Sequence, residues 1–221
     1  MWRGSGSASA GAGYADPVLS FLRGAYGRAL TPLAGLLLRV GLTPTAVTVV
    51  GTLGVAVASL WLLPQGRWAL AFFIIGAFLL ADGLDGTMAR LGGRESRFGA
   101  FLDSTLDRVA DGAVFAGFAI WAALHDTATM WLALGALVMG FVVSYARARA
   151  EVEGWDASTG LFERTDRLVI AGAGALAVDL GAPLWVLTAA LSLVALGSAI
   201  TAGQRIAAAW RQSKGPDAPQ S

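Results

Sequence analysis

The chain has 221 residues, of which 56% are hydrophobic and only 14% charged, with a formal net charge of +1. A soluble domain carries about 25% charged residues, so these are too few to coat a water-facing surface; the chain reads as a polytopic membrane protein, and disorder, collagen and coiled coil are excluded. The near-neutral balance implies no nucleic acid or other polyanionic partner, and with no cysteine and a single histidine there is no disulfide framework, thiolate zinc site or His-rich metal site.

Residues 1–15 are small and polar without an apolar period and read as a disordered leader, not a signal peptide. Residues 16–40 mix apolar side chains with Arg23, Arg28 and Arg39, which suits a juxtamembrane amphipathic helix bent at Pro32. Six apolar runs follow, over 46–65, 68–81, 112–124, 127–146, 168–178 and 180–204. A spanning helix needs about 20 largely apolar residues. The first, fourth and sixth runs qualify outright, and the others need polar extensions. The expected fold is therefore all-α, a six-helix membrane domain over 41–211 with a disordered tail over 212–221.

The basic residues set the expected topology. If six helices alternate, the loops near 64–67, 125–129 and 179–183 share one side, which holds only Arg67. The other fifteen Lys and Arg fall on the opposite side, which the positive-inside rule assigns to the cytoplasm together with both termini.

Five of the fifteen carboxylates fall in one window: Asp82, Asp85, Asp103, Asp107 and Asp111. Asp82 and Asp85 are i,i+3 and Asp103 and Asp107 are i,i+4, so each pair shares a helix face. The short loop 91–97 makes the two helices antiparallel neighbours. Four carboxylates converging at a membrane interface are costly without compensation. One or two Mg²⁺ ions, hard cations that take oxygen ligands and work with substrate phosphates, supply it, with Mn²⁺ as the alternative. Asp111, one turn deeper, is expected to be hydrogen-bonded inside the bundle and not metal-bound.

The stretch Asp82-Gly-Leu-Asp85-Gly86-Thr-Met-Ala89-Arg90, followed at fixed gaps by Gly99, Asp103 and Asp107, matches D-x2-D-G-x2-A-R-x8-G-x3-D-x3-D. By this signature the chain resembles the CDP-alcohol phosphotransferase family. Chance agreement at all eight positions is about one in a billion per starting point. The resemblance implies that Asp82, Asp85 and Asp103 bind metal, and that Asp107 both touches a metal and acts as the base that deprotonates the acceptor hydroxyl. It implies that Thr45, Ala46, Val47, Thr48, Gly86, Arg90 and Ser96 contact CDP-diacylglycerol, and that the protein is a homodimer. The residue chemistry agrees: Gly86 lets a nucleotide approach the backbone, Arg90 is a fork donor for a diphosphate, and Thr45 or Thr48 caps the first spanning helix.

Five arginines on the cytoplasmic side, Arg147, Arg149, Arg164, Arg167 and Arg205, suggest an anionic acceptor, against plain anchoring to lipid headgroups. The segments Ser144-Tyr145-Ala146-Arg147-Ala148-Arg149-Ala150-Glu151 and Glu163-Arg164-Thr165-Asp166-Arg167 resemble the actinobacterial, inositol phosphate-using branch of the family, with Arg147 in place of its usual Lys. Arg147, Arg149, Arg167 and Arg205 are thus the expected acceptor-phosphate residues. Arg147 and Arg149 point about 200° apart on an ideal helix, and Arg149 and Arg167 are expected to lead. The implied reaction moves the phosphatidyl group of CDP-diacylglycerol to inositol phosphate with release of CMP. Glycerol 3-phosphate is the alternative acceptor, and an ion-coupled transporter using the four acids as a relay is the alternative of another class.

Overall fold

The computed structural model describes residues 30–81, 83–93 and 96–214. The leader over 1–15, most of the juxtamembrane segment, Asp82 and the end of the tail lie outside the described residues. Eight helices follow in order among those described: α1 (Leu30–Arg39), α2 (Pro44–Leu62), α3 (Trp68–Ala81), α4 (Gly83–Gly92), α5 (Arg97–Ala123), α6 (Thr127–Val152), α7 (Arg164–Asp179) and α8 (Trp185–Gln212). No strand occurs among the described residues.

Local sequence sets the helix starts. Thr43 caps α2, its hydroxyl accepting from Ala46 N at 3.2 Å with Pro44 at the first helical position. Sequence reasoning gave that role to Thr45 or Thr48. The Thr48 hydroxyl instead donates to the Pro44 carbonyl at 3.1 Å and to the Asp85 carboxylate. Ser96 caps α5 through Gly99 N at 2.9 Å. Asp126 caps α6, and Glu163 and Asp166 form a reciprocal capping box on α7.

Neighbouring helices close into a ring, in the order α2, α5, α6, α8, α7, α3 and back to α2. Small residues let the backbones approach. A Cβ on Gly117 would lie 2.7 Å from the Ser59 carbonyl oxygen, so α5 crosses α2 at backbone contact. Leu187, Leu191 and Val194 of α8 are fully buried in the ring's core, with Ala133 and Ala136 of α6. Outward faces carry Val57, Trp61, Phe73 and Trp131, each about two-thirds exposed, an apolar surface matched to lipid. Helix α1 packs Ala34 against Leu84 and Met88 of α4 as a separate small cluster.

Among the described residues four segments are long and apolar enough to cross a membrane: Pro44–Leu62, Trp68–Gly92, Thr127–Val152 and Trp185–Gln212. Six were expected. Helix α5 carries Asp103, Asp107, Arg108 and Asp111 in its first half, and α7 has only 16 residues and begins with Arg164, Asp166 and Arg167. The polar residues that dilute these two helices are those that build the site.

Candidate functional site

Two clefts open on either side of the first turns of α5. The first has a volume of about 520 Å³ and is lined by Thr45, Thr48, Asp85, Gly86, Arg90, Ser96, Gly99 and Asp103. Its walls are the start of α2, the body of α4 and the capped start of α5. Asp85 is held in place by the Thr48 hydroxyl and by Gly86 N, which donates to its other oxygen at 2.5 Å. Arg90 Nη2 donates to the Thr87 hydroxyl at 3.2 Å, which aims the guanidinium along α4. Ala46 and Val47 line an adjoining apolar cavity of about 350 Å³ that also reaches Thr48 and Asp85. The expected nucleotide residues are therefore brought together, with Ser96 both capping α5 and facing the cleft.

The second cleft, about 690 Å³, lies between α5, α6, α7 and α8. Asp107, one turn beyond Asp103, lines it. Arg164 Nη1 lies 2.7 Å from Asp107 Oδ1, and Arg108 Nη2 lies 3.5 Å from its Oδ2. Arg147, Arg167 and Arg205 line the same cleft. Arg167 is 1% exposed; its Nη2 donates to Asp111 at 3.3 Å, while Nε and Nη1 have no hydrogen-bond partner among the described residues. Arg167 thus keeps two N–H groups unspent beside the cleft, which suits it to an anion, although both atoms are closed to solvent and Nε lies against Gly140 of α6. Arg205 spends Nε on the Thr159 carbonyl at 3.1 Å and Nη1 on the Val143 carbonyl at 2.8 Å, so it also ties the 153–163 loop and α6 to α8.

Arg149 stands apart from the other three. It does not line the cleft, is half exposed and pairs with Glu153 four residues on. The expected order, with Arg149 ahead of Arg147, is reversed in position. Asp111 is buried and ion-paired with Arg164 at 2.9 Å and Arg167 at 3.3 Å, in line with a place inside the bundle. Sequence reasoning did not single out Arg108, Ser144, Glu151 or Glu163 as cleft residues, though the Arg108 side chain bonds the Ser144 hydroxyl across α5 and α6.

The metal question turns on donor chemistry. Among the described residues no group of three His, Cys, Asp or Glu side chains is clustered for a metal ion, and Asp82 lies outside them. Asp85 and Asp103 nonetheless face one cleft from two helices, and Asp107 follows at i,i+4. These are all carboxylate oxygens, with no nitrogen or sulfur donor among them, and they fit a hard divalent cation.

A family model described as CDP-alcohol phosphatidyltransferase matches residues 41–201. The phosphatidylinositol phosphate synthase of Mycobacterium marinum is 43% identical over 198 residues, covering 88% of this chain and 84% of the relative. That of Streptomyces avermitilis is 44% identical over 206 residues, covering 90% and 84%. A crystal structure of Mycobacterium tuberculosis phosphatidylinositol phosphate synthase with CDP-DAG bound matches with a TM-score of 0.82 at 41% identity, over 88% of this chain and 98% of that one. The same protein in complex with manganese and citrate matches with a TM-score of 0.81 at 41% identity, over 87% and 92%.

Proposed function

The chain belongs to the CDP-alcohol phosphatidyltransferase family, and within it we infer that it transfers the phosphatidyl group of CDP-diacylglycerol to the hydroxyl of an inositol phosphate, releasing CMP. The observation that carries the acceptor is Arg167: a buried guanidinium with Nε and Nη1 unpartnered, on the wall of the cleft that also holds Asp107. A phosphate monoester meets that wall, and the arginine fork matches its oxygens. Inositol without phosphate offers it only neutral hydroxyl acceptors, which bind a guanidinium more weakly than a charged phosphate does.

The 520 Å³ cleft is the proposed seat of the cytidine diphosphate, with Arg90 on the diphosphate and Gly86 and Gly99 allowing close approach. An apolar groove of about 590 Å³ runs along α3 and α7 from Leu63 and Trp68 to Arg164, and it suits the acyl chains of a lipid substrate. Arg164 lines this groove and the acceptor cleft alike, so lipid and acceptor meet at its depth.

Asp82, Asp85, Asp103 and Asp107 are the proposed ligands for two Mg²⁺ ions, with Mn²⁺ as a substitute. When bound, the ions would neutralise the diphosphate and the developing charge on the leaving CMP. The remaining work falls to the chain. Asp107 accepts the proton of the acceptor hydroxyl. The hydroxyl oxygen forms a new bond to the lipid-side phosphorus, and the bond from that phosphorus to the bridging oxygen breaks, its electron pair leaving with CMP. Arg167 and Arg147 orient the acceptor, which recovers part of the entropy cost of bringing two substrates together.

Six membrane crossings, with the polar halves of α5 and α7 at the membrane surface, keep the clefts on the arginine-rich side, which the positive-inside rule makes cytoplasmic. A homodimer remains the assembly that the family resemblance implies. The testing experiment is acceptor-dependent CMP release by purified protein. CMP should appear with CDP-diacylglycerol plus inositol phosphate, and not with inositol. Equal release with both would remove the phosphate-binding role of the arginine cleft.

A further inference from the structure

We propose that Glu151 and Glu163 read the hydroxyl groups of the acceptor and set the preference for a polyol phosphate over smaller phosphate monoesters. The inference rests on the reading of the arginine cleft as a phosphate site.

The cleft wall combines Arg108, Arg147, Arg164, Arg167 and Arg205 with three carboxylates: Asp107, Glu151 and Glu163. Asp107 is engaged by Arg164 and Arg108. The two glutamates are not required by a phosphate. Each is a like charge facing the ligand's anion and weakens its binding. Arg147 and the start of α7 offset them in part, and a ligand that brings hydrogen-bond donors to their end of the cleft offsets the rest. An ionised carboxylate is acceptor-only, and O–H···O⁻ bonds are among the short, strong ones. A ring of hydroxyls supplies such donors and a phosphate dianion does not.

Position and size agree. Glu151 stands in the last turn of α6 and Glu163 caps the start of α7, at the two ends of the 153–163 loop. Both carboxylates are held by their own elements: Glu151 Oε1 by Arg147 Nε at 2.8 Å, and Glu163 by the backbone N–H of Asp166 in the capping box. Neither has to be ordered by the ligand. The volume of about 690 Å³ lies in the range of small-molecule sites and far exceeds what a phosphate fills. Independently, Arg167, 1% exposed with two unpartnered N–H edges on the same wall, marks where the anionic end belongs. The hydroxyl-bearing remainder then extends toward the glutamates.

The test uses Glu151→Ala and Glu163→Gln, the second retaining an oxygen to cap α7, with folding checked by thermal unfolding in detergent. Each variant should raise the KM for myo-inositol phosphate about tenfold and lower the kcat/KM ratio of inositol phosphate over glycerol 3-phosphate by a similar factor. The affinity for inorganic phosphate, measured by calorimetry on the detergent-solubilised protein without donor lipid, should be unchanged or tighter, since a repelling charge is gone. Parallel weakening of inorganic phosphate and inositol phosphate, or an unmoved acceptor ratio, would overturn the assignment. Failure of the unmutated protein to bind inorganic phosphate at all would instead bring down the underlying phosphate reading.

Discussion

Arg164 clasps two carboxylates one helical turn apart: its Nη1 lies 2.7 Å from Asp107 Oδ1 and its Nε lies 2.9 Å from Asp111 Oδ1. The first contact faces the acceptor cleft and the second faces the bundle interior. Asp111 in turn holds Arg167. A chain of charges therefore links the proposed base to the proposed phosphate-binding arginine, and each link gives a separate expectation.

Removing Asp111 takes the carboxylate partner from Arg167, a nearly inaccessible guanidinium. A buried charge left without its partner costs roughly 3–5 kcal/mol. Asp111→Ala should lower the thermal unfolding midpoint in detergent clearly, and Asp111→Asn less, because the amide oxygen still accepts from Arg167. A wild-type midpoint in Asp111→Ala would show that the pair holds nothing together.

Asp107→Asn keeps the side-chain shape but cannot take up a proton. Its kcat should fall about 10²- to 10⁴-fold, the usual contribution of a general base, while CDP-diacylglycerol still binds. A kcat near that of the unmutated protein would remove the base from the account.

Excess EDTA should abolish turnover, and Mg²⁺ or Mn²⁺ should restore it. Asp85→Ala and Asp103→Ala, which empty one cleft of its described carboxylates, should behave alike, with Asp82→Ala joining them by the motif. Full activity in EDTA would contradict the carboxylates' proposed role.

The arginines separate by position. Arg167→Ala should raise the KM for inositol phosphate ten- to a hundredfold, the effect of losing one charge-assisted contact worth about 1.5–3 kcal/mol, with the KM for CDP-diacylglycerol nearly constant. Arg149→Ala, outside the cleft and paired with Glu153, should leave both constants within about twofold, as expected for an exposed ion pair. The reverse order would contradict the placing of Arg167 on the cleft wall and of Arg149 outside it.

At the opposite end of the molecule, the Thr129 hydroxyl, and after it the Thr129 backbone N–H, hold the Asp126 carboxyl below its ordinary value of 3.8. A depressed folded-state pKa contributes stability that is complete above the unfolded value and is lost as pH falls through the folded one. The unfolding midpoint should therefore decline below about pH 4 partly through this cap, and Asp126→Ala should show a shallower acid decline from a lower starting midpoint. Parallel curves for the two proteins would assign the acid sensitivity elsewhere.

The sequence made some of this legible and hid the rest for identifiable reasons. The spacing from Asp82 to Asp107 carried the family, because fixed gaps on two helices leave few alternatives. The α2 cap was read as Thr45 or Thr48, and Thr43 was passed over; Pro44, favoured at the first helical position, was the signal that selects Thr43. The relative places of Arg147 and Arg149 depended on how α6 is rotated. Its buried stripe of Ala133, Ala136, Gly140 and Val143 steps by three and four residues and reaches Arg147 next, while Arg149 falls off it. That stripe was visible in the sequence, but only packing against α8 makes it the inward face. Glu151 and Glu163 stand at the ends of the two segments that carry the branch resemblance, but nothing in the sequence gave them a role, and that both line one cleft is a tertiary fact.

The most direct test offers the purified, reconstituted protein CDP-diacylglycerol with inositol phosphate and glycerol 3-phosphate at equal concentration and weighs the lipid products by mass spectrometry. The account predicts phosphatidylinositol phosphate as the dominant product, formed one for one with CMP. A predominance of phosphatidylglycerophosphate, or CDP-diacylglycerol left intact, would contradict it.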